Sequence, residues 1–264
     1  MRHPIRHIVA AAFALLVLAP GAACARPTGG RELILFEAAS LKDAFAKLFP
    51  YFEKENGGAK VIPNAAGSQE LRTQIEHGAV ADVVASADRK QMDALVAQGL
   101  VVSPVVFTCN EPVLVVRTGL AATIETLADL PRAERIVIGA PEVPIGAYTL
   151  QILQNAAARL GPDFPGRVQA KVASRELNVR QVLAKVVLGE ADAGFVYRSD
   201  ANAAAGKVAV VAIPAETNVV AAYPIAAVKA APHPDLARRW IELVTSPAGA
   251  AALREAGFVA CPSR

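Results

Sequence analysis

The chain has 264 residues, of which 53% are hydrophobic and 19% charged, and its formal net charge is +3. This length allows one large domain or two smaller lobes, and composition alone does not choose between them. The sequence contains no Lys/Arg stripe interleaved with aromatic residues, so we exclude nucleic acid as a partner.

Residues 1 to 25 have the organisation of a secretory signal peptide. Arg2 and Arg6 precede an apolar run, 8 to 19, that is shorter than the roughly 20 residues of a bilayer span. The A-x-A sequence that ends at Ala25 predicts cleavage there, which leaves a mature net charge of about +1 and a mature chain that begins at Arg26. We therefore expect the protein in the periplasm.

Cys24 opens an alternative, because lipoprotein signals end at a cysteine that becomes lipidated. Gly21 stands three positions before it, where such a signal has a branched or leucine-type residue. A lipid anchor at Cys24 is therefore the less favoured form of export, and an uncleaved membrane anchor is disfavoured because no later hydrophobic stretch has spanning length.

Short apolar runs alternate with helix-period segments along nearly the whole chain, which is typical of α/β proteins with mostly parallel sheets. The predicted strands cover 32–36, 61–62, 82–86, 100–102, 113–117, 135–138, 166–172, 194–197, 208–213 and 219–228. The predicted helices cover 41–52, 71–77, a segment capped by Asp88 and ended by Gly99, 125–130, 149–159, 179–188, 235–245 and 247–255. Pro50 should interrupt the first helix, and Trp240 should anchor a hydrophobic core.

Two strand-to-helix turns in the first half each carry a serine, FEAASL at 36–41 and NAAGSQEL at 64–71. The first N–H groups of a helix lack partners within it and lie at the positive end of its dipole, so they can hold an anion without a full positive charge. Ser40 and Ser68 would each add a hydroxyl donor. The alternative is that both serines only cap their helices.

The second half contains comparable features. PEVPIGAY at 141–148 and LNVRQVL at 177–183 each open a helix, and GFVYRSD at 194–200 ends a strand at Tyr197. The Tyr197 hydroxyl can point into the crevice at the carboxyl ends of the strands. Half-buried packing is the alternative for a tyrosine in this position.

The order and spacing of these motifs resemble the periplasmic molybdate-binding proteins of ABC transporters over essentially the whole mature chain. The segments that carry the resemblance are FEAASL, GSQELRTQIEHGAVADVVASAD, PEVPIGAY, NVRQVLAKVVLGEADAGFVYRSD and the terminal AGF. The resemblance implies a two-lobed α/β periplasmic-binding-protein fold with two hinge crossings. One lobe would comprise residues 26–107 plus 218–264, and the other residues 108–217.

The resemblance also implies the function and the site. The chain would capture molybdate, and also tungstate, between its lobes and pass it to the membrane permease of an ABC importer, as a monomer without a cofactor. Ser40 and Ser68 would donate hydroxyl and backbone hydrogen bonds, Ile145 and Val179 backbone N–H groups, and Tyr197 its phenolic O–H. The oxygens of the ion would receive these bonds, so no residue would coordinate the metal directly, and Tyr148 would have a supporting role at most.

Three residues depart from the family pattern. Glu37 stands where the family usually has a small residue, Gln69 where serine is frequent, and Ile145 where alanine is expected. A carboxylate close to a dianion weakens its binding, so Glu37 has to point away from the site. The isoleucine keeps its backbone donor but can narrow the cavity.

Other functions are less consistent with the sequence. A secreted α/β enzyme is disfavoured because His77 and His233, the histidines left after cleavage, are expected at the surface and form no catalytic motif. Ferric iron capture is disfavoured because only four tyrosines occur and none are adjacent. Sulfate remains an alternative ligand, and the sequence does not separate molybdate from tungstate.

Cys109 and Cys261 are the cysteines that remain after cleavage. Because the periplasm is oxidising, we predict a disulfide between them. The sequence does not show whether their Cα atoms lie within bridging range.

Overall fold

The computed structural model describes residues 31–262, so the predicted signal peptide and the alternative at Cys24 lie outside the described residues. Its strands are β1 (Glu32–Ala38), β2 (Lys60–Ala66), β3 (Val83–Ala85), β4 (Val101–Asn110), β5 (Pro112–Arg117), β6 (Ile136–Gly139), β7 (Val172–Glu176), β8 (Ala193–Tyr197), β9 (Val208–Val211) and β10 (Ala221–Val228). Its α-helices are α1 (Lys42–Ala46), α2 (Phe49–Glu55), α3 (Ser68–Glu76), α4 (Arg89–Ala97), α5 (Pro144–Leu160), α6 (Phe164–Gln169), α7 (Val179–Val187), α8 (Arg198–Ala203), α9 (Pro234–Thr245) and α10 (Pro247–Glu255). Short 3₁₀ helices cover Ala39–Leu41, Thr118–Leu120 and Leu127–Arg132.

The strands form two five-stranded sheets, in the orders β2-β1-β3-β10-β4 and β7-β6-β8-β5-β9. In the first sheet β1 is parallel to β2 and β3, whereas β10 is antiparallel to β3 and β4. In the second, β6 is parallel to β7 and β8, whereas β5 is antiparallel to β8 and β9. The predicted α/β class with two lobes is confirmed. Each sheet is mixed, however, because the first strand after each crossing, β5 or β10, runs antiparallel to its neighbours.

The chain crosses between the sheets twice, between Asn110 and Pro112 and again between Val211 and Ala221. We call residues 31–110 with 221–262 lobe I, and residues 112–211 lobe II. The predicted limit at 107 lies inside β4, and the predicted limit at 217 lies within the second crossing. Within residues 31–262, no helix combines the length and apolar character that a membrane span needs.

Aromatic packing around Trp240 holds the core of lobe I together. Trp240 is fully buried, and its ring lies 5.3 Å from that of Phe45, 5.7 Å from that of Phe49 and 5.2 Å from that of Phe52. The pairs with Phe45 and Phe52 are edge-to-face, with interplanar angles of 85° and 83°, and such pairs add about 0.5 to 1.5 kcal/mol each beyond their buried area. The prediction of Trp240 as a core anchor is confirmed.

Prolines explain several differences from the predicted elements. The predicted strand at 166–172 is wrong: helix α6 begins with Phe164 and Pro165, and β7 follows it at Val172. Proline is favoured in the first turn of a helix, where no N–H bond is lost, and Phe164 and Val168 are buried one turn apart. For the same reason α5 begins at Pro144, before the predicted start at 149, and Pro50 lies in the first turn of the separate helix α2.

Cys109, near the end of β4, forms a disulfide with Cys261, and their Cα atoms lie 5.0 Å apart. The segment before Cys261 also pairs with β4, because Cys109 and Val259 exchange two backbone hydrogen bonds of 3.0 and 2.8 Å. The C-terminal segment is therefore attached to lobe I next to the first crossing.

Candidate functional site

A small cavity lies between the lobes, where strands of both sheets end and helices begin. The cavity has a volume of about 10 Å³, counted as the positions open to the centre of a water-sized sphere. That is about the space that one such sphere requires. None of the lining residues, which come from the described part of the chain, is charged. They are Ala38, Ala39, Ser40, Ala66, Gly67, Ser68, Ala87, Val143, Pro144, Ile145, Asn178, Val179 and Tyr197. The structure thus brings all five predicted binding residues to one cavity.

Two serine hydroxyls reach the cavity from lobe I. Ser68 is the first residue of α3, and its Oγ accepts a 3.0 Å hydrogen bond from the backbone N–H of Ala87. Because this bond uses a lone pair, the Ser68 O–H can still donate. Ser40 Oγ lies 2.8 Å from the Tyr223 hydroxyl, so one proton of this pair also stays available for a second acceptor.

The alternative role of these serines as helix caps does not hold. Gly67 occupies the N-cap position of α3, and Ala38 that of the 3₁₀ helix that contains Ser40. At the start of α3, the Gly67 N–H donates a 2.9 Å hydrogen bond to the Glu70 carboxylate, so Ser68 is not needed as a cap.

Two helix N-termini reach the cavity from lobe II. Ile145 is the second residue of α5 and Val179 the first of α7, positions at which the N–H has no acceptor within the helix. The side chain of Asn178 caps α7 by accepting from Arg180 and Gln181, the residues after Val179. The positive ends of both helices therefore lie at the cavity.

Tyr197 ends β8 and presents a buried hydroxyl to the cavity. The residue is 1% exposed, and its hydroxyl has no hydrogen-bond partner among residues 31–262. Burial raises the pKa of the Tyr197 phenol well above its usual 10, so the group is a proton donor at any physiological pH. A buried hydroxyl without a partner costs about 1 to 3 kcal/mol, which an acceptor in the cavity would remove.

Neighbouring tyrosines hold the Tyr197 ring in place. Tyr223 lies 5.8 Å and Tyr148 6.5 Å from it, centroid to centroid, both nearly edge-on. Tyr148 does not line the cavity, so its contact with the site is through this ring. Sequence reasoning missed Tyr223, which contacts both Ser40 and Tyr197, because it lies on β10, far along the chain from either.

Glu37 lies beside the cavity without lining it. Adjacent residues of a strand point to opposite faces, and Ala38 is the one that reaches the cavity. Glu37 is 1% exposed, and burial raises its pKa from 4.5 to about 8, although the positive charges of Lys42 and Arg180 lower it. The carboxyl group is therefore mostly protonated at neutral pH and does not oppose an anion in the cavity.

The other two departures from the family pattern also have structural consequences. Gln69 donates a 2.7 Å hydrogen bond from Nε2 to the Leu177 carbonyl in lobe II, and Gln91 makes a similar 3.1 Å bond to the Glu142 carbonyl. These bonds hold the lobes against each other beside the site. Ile145 is 1% exposed and fills part of the space between them.

The two histidines differ in environment. His77 is exposed, as predicted. The expectation that His233 is exposed is wrong: it is half-buried, and its backbone N–H donates a 2.7 Å hydrogen bond to Asp82. His233 therefore contacts the buried Asp82 carboxylate and does not line the cavity.

The geometry suits a compact anion whose oxygens only accept hydrogen bonds. Hydroxyls of Ser40, Ser68 and Tyr197 and the N-termini of α3, α5 and α7 converge there, and among the residues that the structure describes no positive side chain lines the cavity. In the described chain, 31–262, no group of three or more His, Cys, Asp or Glu residues is arranged to hold a metal ion.

Comparison with known proteins gives consistent similarities. The profile of the bacterial extracellular solute-binding protein family matches residues 33–259. A molybdate-binding protein of Mycobacterium tuberculosis is 40% identical over 242 residues, which cover 90% of this chain and 89% of that protein. A molybdate-binding protein of Escherichia coli is 35% identical over 209 residues, 75% of this chain and 77% of that protein.

A solved structure extends the similarity to the fold. The periplasmic molybdate-binding protein of Azotobacter vinelandii superposes with a TM-score of 0.76 at 23% identity, over 88% of this chain and 100% of that one. The predicted periplasmic-binding-protein fold is thereby confirmed.

Proposed function

The chain belongs to the family of bacterial extracellular solute-binding proteins, and we propose that it captures molybdate, or the nearly isosteric tungstate, and delivers it to the membrane permease of an ABC importer. One observation carries the proposal: neutral donors from both lobes converge on a cavity that no charged residue of the described chain, 31–262, lines. The name of the relative in Mycobacterium tuberculosis supports the choice of ion.

The donor set favours an anion that carries no proton. Molybdate, tungstate and sulfate are unprotonated dianions at neutral pH, so a cavity of donors satisfies all their oxygens. Hydrogen phosphate carries a proton that needs an acceptor, and the carboxyl group beside the cavity, Glu37, does not line it. The cavity therefore disfavours phosphate.

Size separates molybdate from sulfate. The longer metal–oxygen bonds of molybdate and tungstate place their oxygens farther from the centre than those of sulfate, so lobes that close around the larger ion hold their donors at that larger distance. A smaller ion leaves some of these donors without a partner, at about 1 to 3 kcal/mol for each buried bond that is not made.

The rival functions lack support in the lining of the cavity. Ferric iron prefers oxygen anions such as carboxylate and phenolate. Within residues 31–262, Tyr197 is the only phenol that lines the cavity, and burial keeps it protonated. For catalysis we find no support in the relatives, whose names describe binding proteins. We therefore propose binding without turnover.

We extend the proposal to the form in which the protein acts. The mature chain would begin at Arg26 after signal cleavage and work in the periplasm as a monomer, with no cofactor besides its ligand. We also propose the division into two lobes that the sequence predicts, 26–107 with 218–264 and 108–217, with its limits moved to the crossings between β4 and β5 and between β9 and β10.

The hydroxyl donors give a direct test. Ser68→Ala, Ser40→Ala and Tyr197→Phe should each weaken molybdate binding by about 1.5 to 3 kcal/mol, because each removes a hydrogen bond to a charged group. This corresponds to a roughly tenfold to 150-fold higher Kd. Calorimetric titration of the purified mature protein measures it, and the unsubstituted chain should bind one ion.

Matched controls separate the site from general effects. Tyr51→Phe removes a phenolic hydroxyl from a residue that is 56% exposed, and His77→Ala alters another exposed position. Both variants should bind molybdate as the unsubstituted chain does. Unchanged affinity for molybdate in all three site variants would contradict the assignment of these hydroxyls as ligand donors.

A further inference from the structure

One guanidinium group joins the two lobes next to the cavity. Arg180 follows Val179 on α7, and its Nη2 lies 2.6 Å from the Asp43 carboxylate on α1 of lobe I. Its Nε lies 2.7 Å from the Asp200 carboxylate on α8 of lobe II. Arg180 itself does not line the cavity.

The two contacts differ in environment. Asp200 is fully buried, and its second oxygen accepts a 3.2 Å hydrogen bond from the Tyr197 backbone N–H. The Asp43 side chain is 51% exposed. The pair within lobe II therefore holds the guanidinium against the carboxylate that also binds the Tyr197 backbone, and the pair with the half-exposed Asp43 lies at the edge of the cleft.

Asp43 and Asp200 are the charged carboxylates that pair with Arg180 at neutral pH. The positive charge of Arg180 acts on the nearby Glu37, but burial raises the pKa of Glu37 to about 8, so Glu37 is mostly neutral at pH 7. Burial raises the pKa of Asp200 to about 6, although Arg180 lowers it, so Asp200 is mostly charged at pH 7. Lys42, beside Asp43, faces the same group of charges.

The pair between Arg180 and Asp43 is an ion pair across the cleft, whereas the bonds made by Gln69 and Gln91 across it are neutral. Asp43 lies on α1, shortly after the predicted donor Ser40, and Arg180 directly follows the predicted donor Val179. The ion pair therefore connects the two donor segments across the cleft. Opening the lobes would separate Arg180 from Asp43 and leave its contact with Asp200 in place.

We propose that Arg180 is a positioning residue for ligand retention, which holds the lobes closed around the anion through Asp43 and so sets the rate of release. Asp200 keeps the guanidinium in place in both the open and the closed protein. This inference rests on the proposed function, because it concerns the release of the same ion from the same cleft.

Asp43→Asn tests the proposal with little risk to the fold, because Asp43 is half exposed. Arg180→Ala is a poorer test, since it leaves the Asp200 charge buried without a partner. Radiolabelled molybdate on the mature protein is chased with unlabelled molybdate. Asp43→Asn should raise the release rate about two- to fivefold, in keeping with a partly exposed ion pair, and leave the capture rate within about twofold.

Two further variants identify the cause. Asp93→Asn removes the same charge from an exposed position on α4 and should leave release unchanged. Asp43→Glu keeps the carboxylate and should restore slow release. The melting temperature of the ligand-free Asp43→Asn variant should match that of the unsubstituted chain, because the pair acts on closure.

The outcomes distinguish this inference from the function on which it rests. Unchanged release in Asp43→Asn, or equal acceleration in Asp93→Asn, overturns the role of Arg180 while molybdate binding by the unsubstituted chain stands. If the unsubstituted chain binds no molybdate, the proposed function fails, and this inference fails with it.

Discussion

Molybdate at about a thousand times its Kd should stabilise the mature protein against unfolding by roughly 4 kcal/mol. The reason is mass action: the site requires both lobes in register, so the ion binds the folded chain and not the unfolded one. For a protein of this size, 4 kcal/mol corresponds to a rise of about 8 to 16 °C in melting temperature. Differential scanning calorimetry with and without the ion measures this shift.

Other ions at the same concentration serve as controls. Tungstate should give a shift similar to that of molybdate, sulfate a smaller one because it reaches fewer donors, and phosphate and ferric citrate almost none. The Tyr197→Phe variant should lose about 1.5 to 3 kcal/mol of the stabilisation by molybdate at the same ion concentration. A rise in melting temperature with sulfate or iron alone contradicts the assignment of molybdate. So does the absence of a rise with every ion tested.

Loss of the Cys109–Cys261 disulfide should destabilise the folded protein by roughly 4 to 5 kcal/mol, less any strain that the bond imposes. The bond closes a loop between residues 152 positions apart, so it restricts the unfolded chain strongly. Urea unfolding of a variant with both cysteines replaced by alanine, beside the oxidised chain, measures the difference.

Thiol counting and ligand titration complete this test. The non-reduced mature protein should have no reactive thiol, and the variant without cysteines should bind molybdate with unchanged affinity at low temperature, since neither cysteine lines the cavity. Two reactive thiols in the native protein, or equal stability of the two proteins, would contradict the prediction.

The turns that carry the candidate site could be predicted because their signal is local. Ser40, Ser68, Ile145 and Val179 each lie where a strand or loop passes into a helix, and proline, serine and small residues mark such points in the sequence. Tyr197 ends a short apolar run that is recognisable as a strand. The resemblance to a family then placed these separate turns at one cleft.

Features that depend on distant residues were not predictable. The opposite direction of β5 and β10 in their sheets follows from the two crossings, which no composition change marks. The protonation of Glu37 depends on its burial, and the contact of Arg180 with Asp43 joins residues 137 positions apart in the numbering. The strand predicted at 166–172 failed for a local reason, because Pro165 lies in the first turn of helix α6, which occupies most of that range.

Native mass spectrometry of the mature protein, incubated with equal concentrations of molybdate, tungstate, sulfate and phosphate, tests the central claim most directly because it identifies the ion that occupies the cleft. We predict one adduct per chain, with the mass of molybdate or tungstate, that is strongly reduced in the Ser68→Ala, Tyr197→Phe double variant and retained in Tyr51→Phe. A sulfate or phosphate adduct in its place, or no adduct under conditions in which the chain is folded, would contradict the claim that this cavity of neutral donors selects a large tetrahedral dianion.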